Sequence, residues 1–173
     1  MKTTLLFALV ALALAVPPLE AAPTVVYLVR HAEKASAPSA DPPLTGPGRI
    51  RAVALSVIMA QVHPVAVMHT QFRRTVETAK PTFTALHIPA IHIPRDPDPA
   101  PNAQAVAARI MKQFHGQTTL VVGHSDTVPA IIHRLGIAHP PTISESQFNR
   151  IFKVTKGMWP WSQTTMVETT YGQ

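Results

Sequence analysis

The chain has 173 residues, 46% hydrophobic and 14% charged, with 18 prolines, 7 glycines and no cysteine. That length suits one domain, and the apolar fraction suffices for a packed core, so wholesale disorder is excluded. A formal net charge of +6 admits nucleic acid, a membrane surface or a small anionic ligand, while the missing cysteine excludes disulfides, thiolate zinc sites and a cysteine nucleophile.

Residues 1–22 read as a secretory signal peptide. Lys2 supplies the positive start, and Leu5 to Val16 is an unbroken apolar run shorter than a membrane span. Cleavage fits Ala13-Leu14-Ala15, or Ala21 and Ala22. Pro17 and Pro18 end the apolar run early, against an uncleaved anchor, and no cysteine follows to carry a lipid. No later stretch is long and apolar enough to span a membrane after signal cleavage. The expected organisation is a signal peptide at 1–22 and one domain at 23–173, exported to a bacterial periplasm or secreted.

Residues 24–29 form a continuous β-branched run, as in a strand buried on both faces. Thr45 then caps a helix with Pro47 in its first turn and Ile50, Val53, Ala54, Val57 and Ile58 as its apolar face. A short strand at 65–68 precedes a helix at 72–86, bent at Pro81. A strand at 90–93 leads to a helix at 102–114, which His115-Gly116 ends. Residues 118–122 are a strong strand, followed by a helix that Ser125 or Asp126 caps and Gly136 closes. The alternating segment 150–154 reads as a half-exposed strand near an edge, and 163–170 as a last strand. Trp159 and Trp161 flank Pro160 in a loop or hairpin. The prolines cluster in two stiff loops, Pro38 to Pro47 and Pro89 to Pro101. Strand–helix alternation predicts an α/β fold, a three-layer α/β/α sandwich with a mostly parallel central sheet.

In such a sheet ligands bind beyond the carboxyl ends of the strands. The first strand ends in Arg30-His31 and the fourth in Gly123-His124, while Arg73-Arg74 opens the second helix. These residues suit a tetrahedral anion. Arginine offers forked, permanently charged donors, and a neutral imidazole can attack phosphorus and carry the phosphoryl group covalently. With arginine and histidine supplying that charge, no metal or cofactor is required. Beyond Arg73-Arg74 there is no basic run, and no basic-aromatic stretch, so no nucleic-acid partner is expected.

Four segments carry recognisable patterns. Arg30-His31-Ala32-Glu33 resembles R-H-G-E, and Leu44-Thr45-Gly46-Pro47-Gly48-Arg49 resembles L-T-x-x-G-R. Thr70 to Ala79 is similar to S-x-x-x-R-T-x-x-T-A, and Val121 to Pro129 to V-V-G-H-S-N-T-x-P. Together, in this order, they resemble the histidine phosphatase superfamily, in its phosphoglycerate mutase-like branch, and a small exported bacterial member of it. The resemblance spans roughly the whole mature chain. It implies an exported phosphatase acting on a phosphomonoester or phosphoramidate, borne by a small molecule or a phosphoprotein, through a phosphohistidine. His31 would be the nucleophile and His124 its partner at the phosphoryl group, which Arg30 and Arg74 would bind. Ala32 departs from the usual glycine and Asp126 from the usual asparagine. Better-known members protonate the leaving group with an acidic residue, for which Asp96, Asp98, Asp126, Glu77 and Glu145 are the candidates.

Other readings compete. Arg73 suits a solvated face, paired with Glu77 four residues on. Glu33 either lines a loop or orients Arg30, His69 lies near the arginine loop, and Asp96 or Asp98 suits a helix cap. His63, His87, His92, His115, His133 and His139 lack metal-ligand spacing. Gly123-His124-Ser125-Asp126-Thr127 partly resembles a serine-hydrolase elbow with Ser125 as nucleophile, although Thr127 replaces its last glycine. A non-catalytic phosphate-binding module on the same fold is the remaining alternative.

Overall fold

The computed structural model describes residues 22–36, 40–157 and 162–172. The signal peptide expected at 1–22 lies, apart from Ala22, outside the described residues, as do Pro38 and the Trp159-Pro160-Trp161 segment expected to be a loop or hairpin. The elements run β1 (Thr24–Arg30), α1 (Gly46–Val62), β2 (Val67–His69), α2 (Arg73–Leu86), β3 (Ala90–His92), α3 (Pro99–Gln113), β4 (Thr118–Gly123), α4 (Thr127–Arg134), β5 (Arg150–Lys156) and β6 (Thr165–Thr170).

The sheet order is β3-β2-β4-β1-β5-β6. β1 to β4 run parallel, and β5 is antiparallel to both β1 and β6. The register of β1 on β4 sets Arg30 beside Gly123. His31 and His124, each one residue further along, therefore leave adjacent strands at the same carboxyl edge, and the His31 N–H donates to the Gly123 carbonyl at 2.9 Å.

Alternation along the strands serves two cores. Leu28, Val121 and Phe152 face one side with Val106, Ile110 and Ile131 of α3 and α4. Val29, Val122 and Ile151 face the other with Leu55 and Met59 of α1 and Ala79 of α2. This is the three-layer sandwich expected from the sequence.

The five apolar residues expected to face the core from α1 divide: Ala54 and Ile58 are half-buried and pack against it, but the other three turn outward. Ile50, Val53 and Val57 are 73%, 55% and 61% exposed, and the buried face is Gly48, Ala52, Leu55, Ser56 and Met59. A Cβ on Gly48 would stand 2.2 Å from the Glu33 carbonyl oxygen. That close approach sets the phase, and the 3.6-residue period carries 52, 55, 56 and 59 to the same side. Apolar residues on both faces left the direction undetermined.

The caps follow local chemistry. Thr45 accepts from the Gly48 N–H. Asp98 accepts from the Ala100 N–H, so α3 starts three residues before the expected Asn102 and takes Pro99 and Pro101 out of the proline loop into its first turn. Asp126 caps α4, and Gly136, at φ +112°, follows its end.

Candidate active site

The carboxyl edge holds a cavity of about 270 Å³ lined by Arg30, His31, Lys34, Arg74, Arg95, His124, Ser125, Asp126 and Glu145. β1 delivers Arg30 and the residue after it, α2 presents Arg74 in its first turn, and the turn between β4 and α4 carries His124, Ser125 and Asp126. Arg95 enters from beyond β3, and Glu145 from the segment between α4 and β5. A larger cavity of about 540 Å³ lies between α1 and α2, but no histidine lines it.

The two imidazoles stand edge to face, with centroids 5.4 Å apart. His31 Nδ1 is 2.8 Å from the Ala32 carbonyl. A carbonyl only accepts, so Nδ1 carries the proton and Nε2 keeps a free lone pair. Burial lowers its pKa to about 4, opposed by the Ala32 hydrogen bond and helped by the charges of Arg30 and Arg74.

His124 has the opposite tautomer. Its Nδ1 faces Arg74 Nη2 at 3.4 Å, and arginine only donates, so Nδ1 accepts. Nε2 then donates to Thr70 Oγ1 at 3.0 Å. Thr75 Oγ1 spends its proton on the Phe72 carbonyl at 2.8 Å, so the Thr70 hydroxyl donates in turn to Thr75 Oγ1 at 2.9 Å. Burial, then His31 and the arginines, lowers the pKa of His124 to about 2. Both rings are neutral at pH 7.

The guanidiniums are held from behind. Arg30 lies over the Phe148 ring at 4.3 Å and Arg74 over Phe72 at 4.1 Å. Burial lowers the pKa of each, but both stay charged at neutral pH. Arg95 forms an ion pair with Asp126, and a reciprocal pair of bonds with the Gln71 side chain, at 2.7 and 2.8 Å, pins its backbone. The Ala32 N–H donates to Thr78 Oγ1 at 2.9 Å, tying the end of β1 to α2.

Of the residues singled out in the sequence, His31, His124, Arg30 and Arg74 meet in the cavity, with Asp126 and Glu145. Glu77 does not: it accepts from the Leu44 N–H and from Arg73, and these bonds, working against burial, hold its carboxyl low. Asp98 is a helix cap, and Asp96 does not line the cavity. Glu33 grips Arg51 rather than Arg30, with bonds of 2.7 to 3.0 Å. His69 also stays outside, bonded through Nδ1 to the Thr70 carbonyl. Sequence reasoning missed Lys34 and Arg95 in the lining, Thr70 behind His124 and Phe148 behind Arg30. Only Thr70 and Lys34, inside or beside recognised segments, carried a local signal. Among the described residues no group of three or more His, Asp or Glu is placed to hold a metal ion.

The family model of the histidine phosphatase superfamily (branch 1) matches residues 26–95. A comparison with the curated proteins finds no match. Among solved structures the chain is similar to the protein histidine phosphatase SixA complexed with tungstate. That likeness has 19% identity and a TM-score of 0.65, and covers 84% of this chain and 96% of that one. It is also similar to a mycobacterial glucosyl-3-phosphoglycerate phosphatase, at 12% identity and TM-score 0.62 over 86% of this chain and 98% of that one. YhfR of Bacillus stearothermophilus gives 16% and 0.62 over 83% and 95%. At these identities the likenesses show the fold.

Proposed function

This chain belongs to the histidine phosphatase superfamily, and from that premise we propose that its phosphatase activity runs through a phosphohistidine at His31, on a phosphomonoester or phosphoramidate met outside the cytoplasm. The observation that carries the reading is the state of His31: buried, neutral, and bonded through Nδ1 to the Ala32 carbonyl in a cavity ringed by guanidiniums. In the first step the Nε2 lone pair attacks phosphorus and the bond to the leaving group breaks. Arg30 and Arg74 hold the equatorial oxygens while charge spreads over them, and His124, fixed by Arg74 and Thr70, stands beside the phosphoryl group. Water then attacks phosphorus, the P–N bond breaks, and His31 regains its lone pair.

The tungstate in the SixA structure is a tetrahedral oxyanion like phosphate, which supports an oxyanion ligand for this chain too. That protein is a protein histidine phosphatase and the mycobacterial one a glucosyl-3-phosphoglycerate phosphatase, so a phosphoprotein and a small phosphoester are both candidate substrates. Export rests on the signal-like residues 1–22. Protein recovered from the periplasm should begin after Ala15, Ala21 or Ala22; a chain found only in the cytoplasm would refute export, and a periplasmic chain still carrying Met1 would refute cleavage.

The test of the mechanism is brief incubation with a labelled phosphomonoester and quenching in alkali. Label should remain on the wild type in an acid-labile, base-stable form and be absent from His31→Ala. Full activity in His31→Ala overturns the reading. Binding of phosphate without turnover of any substrate would favour the non-catalytic module. Ser125 is poorly placed to be a hydrolase nucleophile, because its hydroxyl donates to Glu145 at 2.6 Å rather than to a histidine.

A further inference from the structure

Arg30 has almost no donors left for a ligand. Its Nη1 donates to the Ser144 carbonyl at 2.7 Å and to the Gln147 carbonyl at 3.4 Å, and its Nη2 donates to Glu145 at 2.6 Å. Two of its five N–H groups are then unspent: the Nε–H, which is buried and has no partner among the described residues, and one N–H of Nη2. Only the second is open to a ligand, so a two-bond grip through Nη2 on a phosphoryl group requires Glu145 to leave. The two partners differ sharply in freedom. Arg30 is 3% exposed, whereas the Glu145 side chain is 79% exposed and belongs to a segment outside the regular elements.

The second oxygen of Glu145 accepts from Ser125 Oγ, the residue after His124. The carboxylate thus spans the two strand ends that carry the histidines, as an anion already on the arginine that the phosphoryl group needs. Asp126, the other carboxylate of the cavity, cannot move in this way. One of its oxygens accepts from the Thr127 N–H as the cap of α4, and the other pairs with Arg95.

We infer that Glu145 is the general acid and base of the phosphatase reaction, released onto the leaving group when the substrate takes Arg30 from it. This deepens the phosphohistidine reading above and rests on it. In the free protein the Ser125 hydroxyl, and then Arg30, keeps Glu145 ionised. A bound phosphoryl dianion takes over Arg30 and adds like charge beside the carboxylate, and both changes favour the protonated acid. As the His31 Nε2–P bond forms and the P–O bond breaks, the departing oxygen takes the proton of Glu145. In the second step the carboxylate takes a proton from the attacking water, the P–N bond breaks, and phosphate leaves. Such an acid matters most for alkyl phosphates, whose alkoxide leaves poorly without a proton, so the substrate class is an alkyl phosphomonoester.

The experiment compares wild type and Glu145→Gln on glycerol phosphate and p-nitrophenyl phosphate. It reads kcat/KM, which reports formation of the phosphoenzyme and is blind to the later hydrolysis. The loss on the alkyl ester should be about 10²- to 10⁴-fold, and at least tenfold smaller on the aryl ester, whose leaving group departs unprotonated. Equal losses on both esters overturn the inference, since they mean that Glu145 only positions Arg30. No loss on the alkyl ester, or a wild type active on the aryl ester alone, overturns it as well. Full activity of His31→Ala on either ester is the separate result that defeats the parent mechanism.

Discussion

The two buried histidines make stability depend on pH, and His124→Asn isolates the effect. An imidazole whose pKa is lowered on folding binds fewer protons in the native state than in the unfolded chain. Its contribution is fully present above the ordinary value of 6.5 and is lost as pH falls toward the native value. The native values are about 4 for His31 and about 2 for His124, so the window is roughly pH 6.5 down to 4 for one and to 2 for the other. At pH 5 the unfolded imidazole lies 1.5 units below its pKa while the native one is still neutral. At about 1.4 kcal/mol per unit, each histidine then costs about 2 kcal/mol, a large part of the roughly 5–15 kcal/mol typical of a domain. Urea unfolding at pH 7.5 and pH 5 gives the assay. Carboxylates and surface histidines titrate alike in both proteins and drop out of the difference. Between the two pH values wild type should lose about 2 kcal/mol more than His124→Asn. A difference that stays constant to within about 0.5 kcal/mol would refute the reasoning that burial keeps His124 neutral.

Three further outcomes are expected. Thr70→Val keeps the shape but strips the His124 Nε2–H of its acceptor, costing about 1–3 kcal/mol in urea unfolding and lowering kcat more than it raises KM, with Thr70→Ser restoring both; equal kcat for Val and Ser would contradict the role. Gly123→Ala places a Cβ 2.8 Å from Thr127 Oγ1 and 3.0 Å from Val128 Cγ2, against the hydroxyl that accepts the His124 N–H. It should destabilise by about 1–3 kcal/mol and cut turnover, and a variant with unchanged Tm would show that the turn relaxes freely. Tyr171→Phe removes a buried hydroxyl that has no hydrogen-bond partner among the described residues, so Tm should hold or rise, and a fall would reveal a bond that this geometry lacks.

Much of this protein was legible along the chain because the relevant forces act over a few residues. β-branched runs mark β1 and β4, Thr45 and Asp98 cap the helices that follow them, and strand alternation with helices implies the parallel sheet. The same logic places His31 and His124 at strand ends, and the resemblance of the R-H, R-T and G-H segments to family motifs makes them, Arg30 and Arg74 candidates. What sequence could not resolve was direction and partner. α1 is apolar on two sides, and only the approach of Gly48 to the Glu33 carbonyl decides which side is buried. Glu33 is three residues from Arg30 yet bonds Arg51, because the strand end and the start of α1 pack together. Glu145 meets Arg30 across 115 residues of chain, and Arg95 meets Asp126 across 31. Such pairings carry no local signal, since they exist only once the sheet order β3-β2-β4-β1-β5-β6 has brought the loops to one edge. Sequence alone therefore determined which groups could do the chemistry. The tertiary structure decided which of the five candidate carboxylates reach it, because sheet topology, and not spacing along the chain, sets the distance between loops.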